Sequence, residues 1–350
     1  MSVTDNHIEA YVWAFLTAFG VASLVVGLCV LLARKYPQIW ARKEGRHIHK
    51  KDVTRLGGVA MIAGFIVSLL THPDLIISST LWGVIIAVII LLFIGLWDDF
   101  GKLGWQQQLF FQIAAALLVF ILGARIYVIT SPFGGVVEFA QATVPSVIVV
   151  IVWIVMVTNA MNWVDGIDGL SGGITLIGAG TIFFLSVKPE VNQPPVGIIT
   201  MALAGCVLGF LIFNFHPAKI LAGTTGSMFM GFVLATLAIF AGTKIATALL
   251  VMAVPIIDAL WVIGARMMAG VSIFAPDKRH LHYRLLDIGW TQKQITLLFY
   301  VITLGIATIA LNTRTIGKAV TIISVAFLLM GVLFTVSKYI KEEFPEKNEL

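Results

Sequence analysis

The sequence predicts an all-α, polytopic integral membrane protein. Of its 350 residues, 59% are hydrophobic and only 12% are charged, whereas soluble domains carry about 25% charged residues. Apolar stretches of about 20 residues, long enough to cross the hydrocarbon core of a bilayer as a helix, recur along the chain. They do not alternate apolar and polar residues as the strands of a membrane barrel would. This balance excludes both a soluble globular enzyme and a disordered chain.

About eleven segments qualify as spanning helices, although the second is short for a full crossing. They cover residues 11–33, 56–71, 78–97, 108–128, 145–163, 169–187, 197–215, 226–243, 246–265, 294–311 and 319–337. No polar segment between them is long enough for a separate soluble domain, so we expect one transmembrane domain over residues 1–350. Cys29 and Cys206 lie inside apolar runs and are expected to be buried thiols.

Lysine and arginine are distributed unevenly over the predicted loops. Eight of them fall between the first two segments, from Arg34 to Arg55, which places that loop in the cytoplasm by the positive-inside rule. With eleven spans, the N-terminus then lies outside and the C-terminus is cytoplasmic. Eighteen of the 23 lysines and arginines fall on the cytoplasmic side. The net charge of +5 therefore reflects orientation in the membrane, and we expect no nucleic-acid partner.

Five predicted cytoplasmic loops contain most of the groups able to handle phosphate, metal ions or protons. They lie near residues 47–58, 97–108, 159–173, 214–227 and 276–287. Ionisable groups near a bilayer are costly and tend to mark function or a specific pairing. We therefore expect the chemistry of this protein to take place at its cytoplasmic face.

Two adjacent aspartates, Asp98 and Asp99, directly follow the third apolar segment. Neighbouring side chains point about 100° apart on a helix and to opposite sides of a strand, so we expect them to have different roles. Carboxylate oxygens suit Mg²⁺, which keeps several waters and is often shared with substrate phosphates. The alternative interpretation is a solvated helix cap.

The third loop places polar residues at intervals of three. Asn159 and Asn162 are three apart, as are Asp165 and Asp168, so each pair can share one face of a helix. A glycine after each aspartate allows close backbone approach or a positive φ. This pattern suits a loop around a nucleotide or phosphate, and the alternative is that the glycines only form turns.

Three further loops contain groups that suit anions. The stretch from Asn214 to Ser227 has glycines, hydroxyls and Lys219 ahead of a helix, which suits an anion site of backbone N–H groups but does not match the Walker pattern. In the last loop, His280 and His282 would face the same way if extended, and the cations around them favour phosphate over zinc. The first loop adds cations that anionic lipid headgroups would also explain.

Together these motifs resemble the polyprenyl-phosphate N-acetylhexosamine-1-phosphate transferase family over residues 47–290. The most specific piece is Asn159–Leu170, which is similar to the family pattern N-x-x-N-x-x-D-G-x-D-G-L. The pair Asp98–Asp99, the loop 214–227 and the tripeptide His280–His282 support the resemblance. The family topology also has eleven spans with the N-terminus outside.

The resemblance implies transfer of a sugar-1-phosphate from a UDP-sugar to undecaprenyl or another polyprenyl phosphate, giving a polyprenyl-diphosphate sugar and UMP. The implied cofactor is Mg²⁺, with Mn²⁺ as the alternative. The implied place is the cytoplasmic face of a bacterial inner membrane, at the first membrane step of cell-envelope polysaccharide synthesis. A homodimer is a family-level expectation. Positioning and electrostatic stabilisation supply most of the catalysis of phosphoryl transfer, which agrees with the cationic loops found here.

The resemblance also implies roles for matching residues. Asp98 would activate the acceptor phosphate, and Asp99 and Asp165 would lie close to the metal and the diphosphate, with the assignment within this trio left open. Asp168, with Gly166 and Ile167, would help to hold uracil. The implied substrate-binding residues are Lys50, Arg55, Asn159, Asn162, Gly166, Asp168, Asn214, Lys219, Ser227, His280, His282 and Arg284.

Three positions depart from the family pattern. Thr224 stands where the family loop F-x-G-D-x-G-S has a metal-binding aspartate, and a neutral hydroxyl is a poorer ligand of Mg²⁺ than a carboxylate. Either the protein is weakly active, or another carboxylate completes the site. Gln108 replaces a frequent lysine, and Tyr283 replaces a frequent histidine. The His-Leu-His-x-Arg form is closer to the N-acetylglucosamine branch of the family than to the pentapeptide branch, so we expect UDP-GlcNAc as the donor.

Three alternatives to a GlcNAc-1-phosphate transferase remain open at the level of sequence. The first is a phospho-MurNAc-pentapeptide transferase. The second is a binding-only relative, because Thr224 replaces the metal aspartate. The third is a secondary transporter, because Asp258 is a carboxylate well inside an apolar run and transporters place ionisable residues near the midplane of the membrane.

Overall fold

The computed structural model describes residues 3–36, 53–130, 135–138, 143–241, 245–273, 278–313 and 315–343. These ranges contain thirteen helices and one two-stranded antiparallel sheet. The helices are α1 Val3–Lys35, α2 Gly57–Thr71, α3 Ser79–Gly101, α4 Trp105–Ile121, α5 Val144–Val164, α6 Leu170–Ser186, α7 Pro194–Asn214, α8 Gly223–Phe240, α9 Ile245–Val251, α10 Ala253–Met268, α11 Leu281–Asp287, α12 Gln292–Asn312 and α13 Thr315–Glu343. The strands are β1 Val128–Thr130 and β2 Val136–Glu138, with Ile129 opposite Val137.

Seven of the described helices are long and apolar enough to cross a membrane, namely α1, α3, α5, α7, α8, α12 and α13. The apolar helices α2, α4 and α6 are shorter, at 15, 17 and 17 residues. Each of the eleven predicted segments contains helix, so the polytopic helical architecture is confirmed. The number of crossings and the orientation stay predictions.

The ninth predicted segment, residues 246–265, is two helices rather than one. It is interrupted at Met252, which has φ −89° and ψ 8° and precedes α10. Pro255 has no N–H to donate to the carbonyl of Val251, so a continuous helix would lack a hydrogen bond at this point. The expectation of one uninterrupted helix is therefore wrong. Pro255 was the signal for the interruption.

The hairpin β1–β2 is a second departure from an entirely helical prediction. It lies between α4 and α5, in a loop that the sequence places outside the membrane. Each strand has only three residues, which is too short to show the alternation of apolar and polar residues that reveals a strand.

α8 is the central helix of the bundle. Of its most apolar window, 83% is buried, and it packs against α2, α3, α5 and α6. By contrast, only 11% of the corresponding window of α13 is buried. α13 exposes large apolar side chains such as Ile323, Phe327 and Phe334, as expected for a surface in contact with lipid.

Small residues bring the ends of α2, α3 and α8 together. A Cβ on Gly95 of α3 would lie 2.6 Å from Oγ1 of Thr225. A Cβ on Gly58 of α2 would overlap the backbone of Gly226, and the N–H of Gly58 donates to the carbonyl of Ala222 at 3.0 Å. Glycine at helix contacts allows backbones to approach closely in membrane proteins. The start of α8 is thereby placed beside the end of α3, where the two aspartates lie.

Candidate active site

The carboxylate of Asp99 lies at the N-terminus of α8. Its Oδ1 accepts the N–H of Thr224 at 2.8 Å, and its Oδ2 accepts the N–H and the hydroxyl of Thr225 at 3.2 and 2.9 Å. The first N–H groups of a helix lack partners within the helix and form the positive end of its dipole, so an anion is stabilised there. Asp99 is buried, and α8 holds its carboxylate in one orientation.

Asp98 bonds to a different set of partners, as expected for neighbouring residues on a helix. Its Oδ1 accepts the N–H of Leu103 at 2.9 Å, and its Oδ2 accepts the hydroxyl of Thr224 at 2.6 Å. Asp98 is half-buried, whereas Asp99 is buried. Of the two aspartates, Asp98 is therefore the one that a substrate can approach more easily.

Thr224 connects the two aspartates, because its N–H bonds Asp99 and its hydroxyl bonds Asp98. Gly223 before it has φ +69°, and a Cβ at this glycine would lie 2.6 Å from Oδ2 of Asp99. A side chain at position 223 would thus be strained by the backbone and blocked by the carboxylate. Gly223 therefore leaves the space in which the carboxylate of Asp99 reaches the start of α8.

Asp165 follows the last residue of α5 and is half-buried. Its Oδ1 accepts the hydroxyl of Ser171. The pKa of Asp165 is raised to about 7, chiefly by burial and to a smaller extent by the carboxylates of Asp99 and Asp168, against the opposing effects of Ser171 and Arg55. The structure thus brings three predicted aspartates and one predicted arginine within electrostatic reach of one another.

Asp168 is buried, and its carboxylate accepts hydrogen bonds from the loop between α7 and α8. Its Oδ2 accepts Nδ1–H of His216 at 2.7 Å and the N–H of Ala218 at 3.0 Å. The side chain of His216 is 39% exposed, so this pair extends from the buried loop to the surface. Sequence reasoning did not select His216, and its only signal was its place in the fourth polar loop.

The histidines of the last loop meet the third loop at Gly166. A Cβ on Gly166 would overlap Nε2 of His282 and lie 2.7 Å from the hydroxyl of Tyr283, which confirms close approach as the reason for glycine here. The rings of His280 and His282 are stacked, with centroids 5.8 Å apart and an angle of 11° between their planes. The ring of Trp163 lies 6.1 Å from that of His280. The two loops therefore form one surface.

His282 is fully buried, and neither of its ring nitrogens has a hydrogen-bond partner among the residues that the structure describes. Its pKa is lowered to about 3, chiefly by burial, while Asp258 opposes and His280 adds to the lowering. The ring is therefore neutral at physiological pH, with one donor and one acceptor nitrogen. A neutral ring forms hydrogen bonds rather than an ion pair with phosphate, and the contact of His282 with a substrate stays a prediction.

Asp258 on α10 holds His280 in place. Nδ1–H of His280 donates to Oδ2 of Asp258 at 2.7 Å, and the N–H of Leu281 donates to Oδ1 at 2.8 Å. A buried carboxylate is costly unless it is paired and hydrogen-bonded, and these contacts explain its position in an apolar run. Sequence reasoning noted Asp258 but did not connect it with His280, which lies 22 residues further along the chain.

Several predicted substrate-binding residues make contacts within the protein. The side-chain amide of Asn159 donates to Oε1 of Gln112 at 2.6 Å. Oδ1 of Asn214 accepts the N–H of Gly169 at 3.0 Å, and the hydroxyl of Ser227 donates to a carbonyl of its own helix at 3.0 Å. These contacts support the fold of the site, and the roles of these residues toward a substrate stay predictions.

The remaining predicted residues lie in different surroundings. Arg284 is buried, and its Nε–H donates to the carbonyl of Arg279 at 2.8 Å. Asn162 is half-buried near the end of α5, and Lys219 is exposed. Lys50 lies outside the described residues. Among the predicted basic residues of the described part of the chain, Arg55 is the one whose charge lowers the pKa of Asp165, so it lies near the aspartates.

Comparison with known proteins gives consistent matches. The model of glycosyl transferase family 4 matches residues 81–242. The chain is 35% identical to a decaprenyl-phosphate N-acetylglucosaminephosphotransferase of Mycobacterium leprae, over 86% of this chain and 84% of the relative. It is 27% identical to a probable undecaprenyl-phosphate N-acetylglucosaminyl 1-phosphate transferase of Bacillus subtilis, over 97% of this chain and 96% of the relative. It is 32% identical to a phospho-N-acetylmuramoyl-pentapeptide-transferase of Alkaliphilus oremlandii, over 75% of this chain and 85% of the relative.

Proposed function

Because this chain belongs to the polyprenyl-phosphate N-acetylhexosamine-1-phosphate transferase family, we propose that it transfers GlcNAc-1-phosphate from UDP-GlcNAc to a polyprenyl phosphate. The identity of 35% over 84% of the Mycobacterium leprae relative carries this assignment. An oxygen of the acceptor phosphate bonds to the sugar-bearing phosphorus of the donor. The bond from that phosphorus to the bridging oxygen breaks, so that UMP leaves and polyprenyl-diphosphate GlcNAc remains.

GlcNAc is preferred to the MurNAc-pentapeptide as the transferred group. The Mycobacterium leprae and Bacillus subtilis relatives are both named for N-acetylglucosamine and cover 86% and 97% of this chain. The pentapeptide transferase covers 75%. The His-Leu-His-x-Arg form of the last loop favours the same branch.

Asp98 is the residue proposed to activate and orient the acceptor phosphate. It is half-buried at the end of α3, whereas Asp99 has both carboxylate oxygens bonded to α8. A carboxylate oxygen that accepts one hydrogen bond still has a lone pair for another, so the contact with Thr224 leaves Asp98 able to bond an incoming group. Asp99 then fixes the start of α8 and contributes negative charge to the site.

The residues present fit a Mg²⁺ ion that is shared with the substrate rather than enclosed by protein. Among the described residues, no group of three or more His, Cys, Asp or Glu is arranged around a metal position. Mg²⁺ is often bound by only one or two carboxylates together with substrate phosphates and waters. Asp165 and Asp99 lie close enough for Asp99 to raise the pKa of Asp165, and they would hold the ion, with Mn²⁺ as the alternative.

The bound ion would neutralise charge on the transferred phosphoryl group. Thr224 is the weak member of this predicted ligand set. Its hydroxyl hydrogen is donated to Asp98, and its oxygen is neutral. The predicted metal contact at this position is therefore weaker than one from the aspartate of the family pattern.

We further propose eleven crossings, with the N-terminus outside and the site at the cytoplasmic face of a bacterial inner membrane. The ends of α3 and α5 and the starts of α8 and α11 carry the site residues, and they meet on one side of the bundle. The basic residues of the sequence favour the cytoplasm for that side. A single domain and a homodimer stay predictions.

A binding-only relative is the second candidate, because Thr224 supplies no negative charge to a metal ion. A transporter has lost its main support, since Asp258 bonds His280 and Leu281 rather than facing a pathway through the bundle. A direct assay of turnover distinguishes the transferase from these two alternatives, because neither of them would release UMP.

The test is UMP release from UDP-GlcNAc by purified full-length protein with polyprenyl phosphate and Mg²⁺. The sequence as it stands is compared with Thr224→Asp. Release by either protein supports the transferase, and a large gain in Thr224→Asp would show that the metal site is weakened here. No release by either protein, together with binding of UDP-GlcNAc, would favour the binding-only relative.

A further inference from the structure

One face of α12 bonds the backbone of the dipeptide Asp168–Gly169. Oε1 of Gln292 accepts the N–H of Asp168 at 3.1 Å, and the hydroxyl of Thr296 donates to the carbonyl of Asp168 at 3.0 Å. The hydroxyl of Tyr300 donates to the carbonyl of Gly169 at 2.5 Å. These three residues are four positions apart, which places them on one side of the helix. We call them the α12 clamp.

The fourth polar group of the dipeptide is also bonded to a side chain. The N–H of Gly169 donates to Oδ1 of Asn214 at 3.0 Å, and Nδ2 of Asn214 donates to the carbonyl of Ile220 at 2.8 Å. Both N–H groups and both carbonyls of Asp168–Gly169 are thus held by side chains of α7 and α12. The carbonyl of Gly169 also accepts the N–H of Gly173 at 3.0 Å. A turn usually satisfies its polar groups through its own backbone or water, whereas the other three groups here are bonded by side chains of distant helices.

Packing reinforces the hydrogen bonds. Gly169 has φ +78°, and a Cβ on Gly173 of α6 would overlap the ring of Tyr300. Asp168 and Thr296 are both fully buried or nearly so, and buried hydrogen bonds in a medium of low dielectric constant are costly to leave unmade. The backbone of Asp168 is therefore held by α12, a helix that contributes no predicted site residue, while its carboxylate is bonded by His216 and Ala218.

We propose that Gln292, Thr296 and Tyr300 are positioning residues for the donor nucleotide. The proposal rests on the proposed function and on the role that the family resemblance implies for Asp168, which would help to hold the uracil of UDP-GlcNAc. If the α12 clamp sets the place of Asp168, its loss weakens the donor site. The acceptor phosphate is assigned to Asp98 on α3, so the acceptor site is affected little.

The test compares Thr296→Val with Thr303→Val. Both threonines lie on α12 and are fully buried, and Oγ1 of Thr303 has no hydrogen-bond partner among the described residues. Valine keeps the shape of threonine and removes the hydroxyl. Tyr300→Phe is the second variant, because it removes a different bond of the clamp and keeps the ring. The full chain in detergent or nanodiscs is used throughout.

Four quantities are measured: KM for UDP-GlcNAc, KM for polyprenyl phosphate, Kd for UDP by calorimetry, and the midpoint of thermal unfolding. We expect Thr296→Val and Tyr300→Phe to raise KM for UDP-GlcNAc and Kd for UDP by up to about 150-fold, the upper end of the cost of a lost buried hydrogen bond. In these two variants, KM for polyprenyl phosphate changes less than about twofold. In Thr303→Val, both KM values and Kd for UDP change less than about twofold.

Equal increases in both KM values, equal effects of Thr296→Val and Thr303→Val, or unchanged UDP binding in both clamp variants would overturn the proposal. A wild-type protein that binds UDP without releasing UMP would contradict the proposed function, and the UDP affinities would still decide on the clamp. A wild-type protein that binds no UDP would overturn both.

Discussion

Replacing Gly166 by alanine tests the contact between the third polar loop and α11. A Cβ at this position would overlap Nε2 of His282 and lie 2.7 and 2.8 Å from the hydroxyl and Cζ of Tyr283. His282 is fully buried, so its ring cannot move without disturbing its neighbours. The added methyl group therefore pushes the loop and the histidine apart.

The size of the effect follows from the cost of overpacking, which is about 1–3 kcal/mol. Each 1.36 kcal/mol in the activation free energy is a factor of ten in rate. If displacement of His282 and the loop carries this cost, kcat/KM for UDP-GlcNAc falls about 5- to 150-fold. Position 166 lies outside the helices, so alanine gains no helix propensity there to offset the loss.

The assay is UMP release, with thermal unfolding measured in parallel. Gly180→Ala is the matched control, because Gly180 lies within α6 and a Cβ there meets nothing within 4 Å. The control keeps its activity and gains up to about 1 kcal/mol of stability from the better helix former. A Gly166→Ala protein with the kcat/KM of the wild type would show that the site does not depend on this contact.

Three further substitutions test separate roles in the site. Asp98→Asn lowers kcat for UMP release about 10²- to 10⁴-fold, as expected for loss of a general base, with an unchanged circular dichroism spectrum; near-normal turnover would exclude the role. Asp258→Ala leaves Nδ1–H of His280 and the N–H of Leu281 without their buried acceptor, so the free energy of unfolding falls by about 1–3 kcal/mol, and an unchanged unfolding midpoint would contradict the pairing. Asp168→Ala raises Kd for UDP-GlcNAc more than KM for polyprenyl phosphate, and the uracil assignment fails if calorimetry shows equal affinity in both proteins.

The helices, and the clustering of the predicted aspartates in one candidate site, were largely predictable from the sequence. Apolar runs locate spanning helices because an unbonded backbone is too costly in lipid, and the same cost makes scattered carboxylates such as Asp98 and Asp165 conspicuous. The spacing of polar residues also predicted a loop that requires glycines. Gly166 meets this requirement through close packing and Gly169 through a positive φ.

The contacts between distant segments were not predictable in this way. Thr296 bonds Asp168 across 128 positions of the chain, and neither the hydropathy nor the local spacing of α12 names its target. Gln292, Thr296 and Tyr300 do form a polar row at intervals of four in an apolar helix, which was a visible sign of a tertiary role. Asp258 gave a similar sign as an isolated carboxylate, but only the fold shows that His280 is its partner.

The proposed transfer of GlcNAc-1-phosphate is tested most directly by following the transferred group itself. UDP-GlcNAc labelled in the sugar and in its attached phosphate is incubated with the full-length protein, polyprenyl phosphate and Mg²⁺, with Asp98→Asn as the control. A GlcNAc-1-phosphate transferase puts both labels into the lipid in equal amounts, with one UMP released for each, and the control forms far less product. Release of UDP in place of UMP, or transfer of the sugar without its phosphate, would contradict the proposed transfer.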